Sequence, residues 1–306
     1  MCCLFGILDT ELRLSGKEKA RLLHFLAEAA EQRGLDASGY ALNHNGRLSV
    51  HKAPVPGRQL KFRIPNDTAI VMGHTRMTTQ GNEKHNRNNH PFRGVAGGIP
   101  FALAHNGVIW NDGELRKKLK LPGTAIETDS YVAVQLLGRH RALDFSSLKD
   151  MAENVEGSFT FTLLDALDQL YIVMGDSPLC LYCFPSLGLH IYASTKEIML
   201  PALKASALPL RQAERIPLKS GDLVRLNRKG EIARSRFDDS MLYQPVCRYS
   251  LEGGPAWRSS RDENYLEVLR TAASMMGHRP EWVDELLQEG VCTDEIEESL
   301  YCGRLV

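Results

Sequence analysis

Apolar positions recur along this chain with two periods, and the change of period marks where its elements lie. Residues 15–34, "SGKEKARLLHFLAEAAEQRG", place Leu22, Leu23, Leu26, Ala29 and Ala30 at helical spacing. Ser15 and Glu18 stand three apart ahead of that stripe, a capping box, and Gly34 is its stop. Before the helix, Leu4, Phe5, Ile7 and Leu8 surround Gly6 and predict a buried strand at the chain's start. After it, "SGYALNHNGRLSVHK" alternates on both sides of Asn45-Gly46 and predicts a hairpin. "TAIVMGHTR" and "FALAHNGVI" are apolar strands that turn polar at their ends. Residues 77–93 between them show no apolar period and read as a long loop, a feature that compact domains keep for function.

Two helices follow the Asn111-Asp112-Gly113 turn, over 114–120 and 129–139. Four strands come next, "GSFTFTLLD", "QLYIVMGD", "LCLYCF" and "LHIYAS", then a helix over 196–205 and a last pair, "DLVRLN" and "EIARSRF". Strands, then helices, then antiparallel strands predict a layered α+β domain over 1–240. Beyond it, 241–260 contains "GGPAWRSS" and reads as a linker, and 261–306 as a helical tail. Its three predicted helices span 262–278, 280–290 and 293–301, the last capped by Thr293.

Charge adds a division to this picture. Formal net charge is zero, which offers nucleic acid or an anionic membrane no overall attraction. Residues 241–306 nevertheless hold 6 Arg and no Lys against 12 Asp and Glu, so the first domain carries the compensating positive charge. The acidic tail is therefore a candidate docking element for a partner. No run approaches the roughly 18 apolar residues of a membrane span, and no basic segment precedes the apolar start as in a signal peptide. Seven scattered cysteines suit a reducing compartment, so the cytoplasm is expected.

Five short stretches put polar residues where strands and helices end: "RGLDASG" (33–39), "GHTRMTTQG" (73–81), "NNHPF" (88–92), "AHNGVI" (104–109) and "ETDSY" (127–131). Each alone has a structural explanation. "HNG" is a common tight turn, Arg76 could sit in an ion pair, and Asp129 could cap its helix. In this order behind Cys2, the set resembles the glutaminase domain of class II glutamine amidotransferases, the N-terminal-nucleophile (Ntn) hydrolases with a catalytic cysteine. The resemblance covers residues 2–240 and leaves the tail outside it.

The resemblance implies an αββα four-layer sandwich and hydrolysis of a glutamine side-chain amide. Cys2 would be the nucleophile, its α-amine the base once Met1 is removed, and a thioester the intermediate. The side chain of Asn106 and the backbone N–H of Gly107 would stabilise the oxyanion. Arg76 would clamp the substrate α-carboxylate with help from Thr79, Asp129 would bind its α-ammonium, and Arg33 would orient the nucleophile's end of the chain. Cys3 stands where the family commonly has glycine, and strand alternation turns it away from Cys2, into the core. Met77 replaces the aromatic residue of hexosamine-forming members, which argues against such a synthase here, and Gln80 replaces a histidine of those enzymes.

No metal or cofactor is expected. "CLYC" (180–183) is half a zinc motif without its second half, and His74, His85, His90 and His105 lack paired ligand spacing. Because about 65 residues follow Asp239, fewer than an ordinary domain of about 100–150, the ammonia would go to a separate synthetase. Two alternatives stay open: a stand-alone amidohydrolase for a γ-glutamyl or other amide, and a non-catalytic glutamine-sensing or interaction module. The joint presence of Cys2, Arg76, Asn106 and Asp129 weighs against the module.

Overall fold

A computed structural model describes residues 2–240, 242, 260–288, 296 and 300 of the chain. The apolar start forms β1 (Cys3–Asp9), and the capped stripe forms α1 (Gly16–Ala29). Ser15 Oγ accepts the Glu18 N–H while the Glu18 carboxylate accepts the Ser15 N–H at 2.8 Å, so the capping box is complete. The hairpin consists of β2 (Ala37–His44) and β3 (Arg47–Ala53). Asn45 and Gly46 at its turn both have positive φ, at 52° and 69°. Next come β4 (Ile70–Arg76), β5 (Phe92–Ala96) and β6 (Ile99–Ile109), then α2 (Asp112–Lys118), α3 (Tyr131–Leu137) and α4 (Phe145–Asn154). The later strands are β7 (Gly157–Asp165), β8 (Gln169–Val173), β9 (Cys180–Phe184) and β10 (Leu189–Ala193). After α5 (Lys196–Ala205) come β11 (Glu214–Ile216), β12 (Asp222–Asn227) and β13 (Ile232–Arg236).

These strands build two antiparallel sheets, ordered β11-β9-β10-β1-β4-β2-β3 and β13-β12-β8-β7-β6-β5. Period-two alternation then sorts the side chains into three apolar layers. Cys3, Phe5 and Ile7 of β1 face outward, where Leu22, Leu23 and Leu26 of α1 and Ile198 and Met199 of α5 cover them. Leu4 and Leu8 face inward, among Ala102 and Ala104 of β6 and Ile172 of β8. Phe101 and Leu103 of β6 face outward on the other side, under Val132 and Leu136 of α3 and Leu148 and Met151 of α4. The result is helix, sheet, sheet, helix: the αββα sandwich that the motifs imply, and the place of Cys3 in the core is the predicted one.

Three local expectations need correction. The pattern of apolar positions gave no sign of α4. Its stripe is only Leu148, Met151 and Ala152, and its start rests on Asp144, whose carboxylate accepts the Ser147 N–H. The predicted helix over 129–139 is shorter, so Asp129 lies outside α3, and α2 begins two residues earlier than expected. The loop after β4 ends two residues early, because Phe92 and Arg93 already pair with Leu103 and Ala102 in a strand the pattern did not predict.

The chain divides into two compact units, 1–242 and 243–306. In the second, α6 (Ser260–Met275) and α7 (Glu281–Gln288) pack together, with Leu269, Ala272, Ala273 and Val283 buried and Arg270 paired with Asp284. Most of the predicted linker, and the predicted third tail helix with Thr293, lie outside the described residues. Among the described residues, no helix is long and apolar enough to cross a membrane.

The β1–α1 corner holds a fully buried ion pair, Lys19 Nζ to Asp9 Oδ2 at 3.2 Å. Lys19 also donates to the Asn66 and Thr68 carbonyls, and Asp9 accepts the Arg13 and Leu14 N–H groups. An Asp9→Ala substitution strands the buried ammonium and is expected to cost about 3–5 kcal/mol. A urea titration followed by circular dichroism measures that loss directly.

Candidate active site

The inner faces of the two sheets are apolar over most of their length and turn polar at one end. On β4 the inward positions run Ile70, Met72, His74, Arg76, and on β6 they run Ala102, Ala104, Asn106. Cys3 of β1 pairs with Thr75, which sets Cys2 beside Arg76 at that same end. The two sheets touch through β1 against β6 and β4 against β7, so Cys2, Arg76 and Asn106 come from strand ends that face one another. A site of this kind needs sheet-fixed side chains at the edge of a dry interior, and alternation supplies them.

Cys2 is buried to 9% exposure, and its thiol lies 3.6 Å from the Met77 carbonyl oxygen. Burial pushes the Cys2 pKa up and Asp129 adds to the rise, while the Arg76 guanidinium opposes it. A buried thiol held protonated needs a base to become a nucleophile. Arg33 Nε donates to the Cys2 carbonyl at 3.2 Å, anchoring the residue from the end of the first helical segment. Leu4 adds a second anchor, exchanging hydrogen bonds with Ser194 at 2.8 and 2.9 Å.

Asn106 is fully buried, and neither its Oδ1 nor its Nδ2 has a hydrogen-bond partner among the described residues. Leaving a buried polar group unpaired costs about 1–3 kcal/mol, so a side chain with both ends unpaired marks a place built for a ligand. Gly107 next to it has φ +133°, and a Cβ there would come within 2.0 Å of the Ser158 carbonyl oxygen. Only glycine can take this position, for a reason internal to the strand pair.

Arg76 is 2% exposed, and among the described residues it forms no ion pair. Its Nη1 donates to Asn89 Oδ1 at 2.6 Å and its Nη2 to the Gln80 and Gly81 carbonyls, which fix the plane of the guanidinium. Asp129 does not cap α3. Its Oδ2 accepts the Ile109 N–H at 2.7 Å, and its Oδ1 accepts from the Ser130 hydroxyl at 3.2 Å. Cys2, Arg76 and Asp129 lie within electrostatic reach of one another. Thr79 sits half-buried in the loop just past β4. The structure thus gathers Cys2, Arg33, Arg76, Asn106, Gly107 and Asp129 at one end of the sandwich and puts Thr79 on the adjoining loop.

Asp36, Asn88 and Lys52 escaped the sequence reading although they lie inside quoted stretches. Asp36 accepts the Thr78 N–H at 2.6 Å and donates its own N–H to the Arg76 carbonyl at 3.0 Å, tying down the loop that carries Thr79. Asn88 binds the Glu127 side chain and N–H at 2.9 and 3.0 Å, and its carbonyl accepts from Thr128 at 2.8 Å. Lys52, pushed down to about 8 by burial and by Arg76, donates to the Asn89 carbonyl at 2.7 Å. His74, His90 and His105 are buried together: the His74 and His90 rings lie tilted against each other with centroids 4.2 Å apart, and His74 donates from Nε2 to the His105 carbonyl. Among the described residues no group of His, Cys, Asp or Glu has the arrangement of a metal site.

Two stacked antiparallel sheets between helices, with a cysteine leading a central strand, define the Ntn-hydrolase class. The fold is shared with glutamine phosphoribosylpyrophosphate amidotransferase from B. subtilis, at a TM-score of 0.60 and 18% identity over 77% of this chain and 49% of that one. Residues 61–213, half of the chain, match the glutamine amidotransferase domain, and the chain belongs to that family, in its class II branch. Glutamine–fructose-6-phosphate aminotransferase [isomerizing] of Halobacterium salinarum is 32% identical over 193 residues, 59% of this chain and 30% of that protein. The Staphylococcus aureus enzyme of the same name is 33% identical over 216 residues, 65% of this chain and 33% of that protein. The chain therefore spans about a third of the length of these relatives.

Burial holds all three histidines below their ordinary pKa, His74 at about 3 and His90 well below 6.5. The unfolded chain takes up these protons near pH 6.5 and the folded one does not, so this contribution is full above 6.5 and lost as pH falls. Stability should drop by about 1.4 kcal/mol per pH unit between pH 6 and 5 for each of His74 and His90, with His105 adding in the same direction. Urea midpoints across that range test it. His90→Phe keeps a ring against His74 and should flatten the slope by one proton.

Proposed function

We propose that this protein hydrolyses the side-chain amide of L-glutamine through a thioester on Cys2 and releases ammonia for an acceptor. The observation that carries the reading is the buried, unpaired side chain of Asn106, set opposite a buried cysteine between a fixed cation and a fixed carboxylate. Removal of Met1 would leave the α-amine of Cys2, whose ordinary pKa of about 7.7–8.0 suits a base that must deprotonate a buried thiol.

The steps balance with these groups alone. The Cys2 thiol adds to the amide carbon, and its proton passes through the α-amine to the leaving nitrogen, which departs as ammonia. The Asn106 amide and the Gly107 N–H stabilise the oxyanion on the way. Water then opens the γ-glutamyl thioester and returns the thiol. Arg76 and Thr79 hold the α-carboxylate and Asp129 the α-ammonium, so a zwitterion gripped at both ends is chosen over a simple amide. Arg33 keeps the attacking end of the chain in register through the Cys2 carbonyl.

The acceptor is proposed to be a separate synthetase, with the acidic residues 241–306 as the docking element. Buried, unpaired cysteines at 2, 3 and 180 suit a reducing cytoplasm.

Steady-state assays of glutamate release test the reading. The wild type should hydrolyse glutamine, Cys2→Ala should lose the activity, and Asn106→Ala should lower kcat by about 10²–10³. Hydrolysis of γ-glutamyl amides with free glutamine left untouched would contradict it.

A further inference from the structure

We infer that Ser130 and His105 are positioning residues that fix the Asp129 carboxylate toward the substrate's α-ammonium. The inference rests on the glutaminase reading and deepens it. Ser130 Oγ lies 3.2 Å from Asp129 Oδ1 and 2.8 Å from His105 Nδ1. A hydroxyl has one proton, and a carboxylate oxygen can only accept. Ser130 therefore donates to Asp129 and accepts from His105, which sets His105 as the Nδ1–H tautomer. The other oxygen, Oδ2, is held by the Ile109 N–H at 2.7 Å. Both oxygens are thus fixed, and each keeps a lone pair for a ligand.

The chain of bonds begins further back. The His105 ring stacks on Phe161 at 4.6 Å, and its backbone carbonyl accepts the His74 Nε2–H at 2.9 Å. His74 belongs to β4, His105 to β6, and Ser130 immediately precedes α3, so the relay ties both sheets to the outer helix layer. Asp129, Ser130 and His105 are 3%, 2% and 1% exposed, so water does not compete for these bonds. A carboxylate already locked in one rotamer loses little entropy when a cation binds to it. Without the hydroxyl, Oδ1 loses its donor and the carboxylate can turn about its last bond.

The test compares L-glutamine with glutaramate, the same amide without the α-ammonium, in wild type, Ser130→Ala and Ser130→Thr. The kcat/KM preference for glutamine should fall about tenfold in Ser130→Ala, through KM, because a hydrogen bond to a charged group has been lost. Ser130→Thr keeps the hydroxyl and should restore the preference. His105→Asn, whose amide can replace the Nδ1 donor, should retain more preference than His105→Phe, which cannot. An equal loss on both substrates, or none on either, would overturn the relay while leaving the glutaminase reading in place. A wild type inert toward glutamine would overturn that reading and the relay with it.

Discussion

Everything at this site depends on the chain's start being a central strand. β1 lies between β4 and β10 with both faces covered, so the backbone of Cys3 onward cannot fray as chain ends usually do. Hydrogen bonds from Arg33 to the Cys2 carbonyl and between Leu4 and Ser194 then extend that rigidity past the strand itself. The proposed mechanism has Cys2 use its own α-amine once Met1 is removed, and such an end is positioned well only if a sheet holds it. The fold answers both demands with one element.

The second constraint is dryness. The two sheets bury an apolar layer between them, and the polar residues enter only where that layer ends. There each charged or polar side chain is held by partners outside the immediate site: Arg76 by Asn89 and two carbonyls, Asp129 by Ile109 and Ser130. Asn106 differs, with both ends of its amide unpaired among the described residues, as are both ring nitrogens of His90. On the proposed mechanism that contrast sorts the roles: the anchored groups bind the substrate's fixed charges, and the unanchored amide is left for the charge that develops.

Much of this was legible in the chain and some was not, for physical reasons. Strand alternation in "TAIVMGHTR" and "FALAHNGVI" already places Arg76 and Asn106 at polar strand ends, and "SxxE" and "NG" fix the first helix and first hairpin through local chemistry. The requirement for glycine at 107 was visible as a residue type, but its cause, the Ser158 carbonyl, belongs to a strand 51 residues away. Asp36, Asn88, Asn89 and Ser130 likewise act through partners that no spacing rule connects to them. The helix at 145–154 was hidden because its capping is polar and its apolar stripe short.

The measurement that bears most directly on the central claim is the intact mass of the purified protein before and after 6-diazo-5-oxo-norleucine, a glutamine mimic that alkylates the attacking thiol. The account predicts a chain lacking Met1 that gains one adduct, absent in Cys2→Ala while Cys3→Ala still labels. A chain that keeps Met1 and takes no adduct, or one labelled equally well without Cys2, would contradict it.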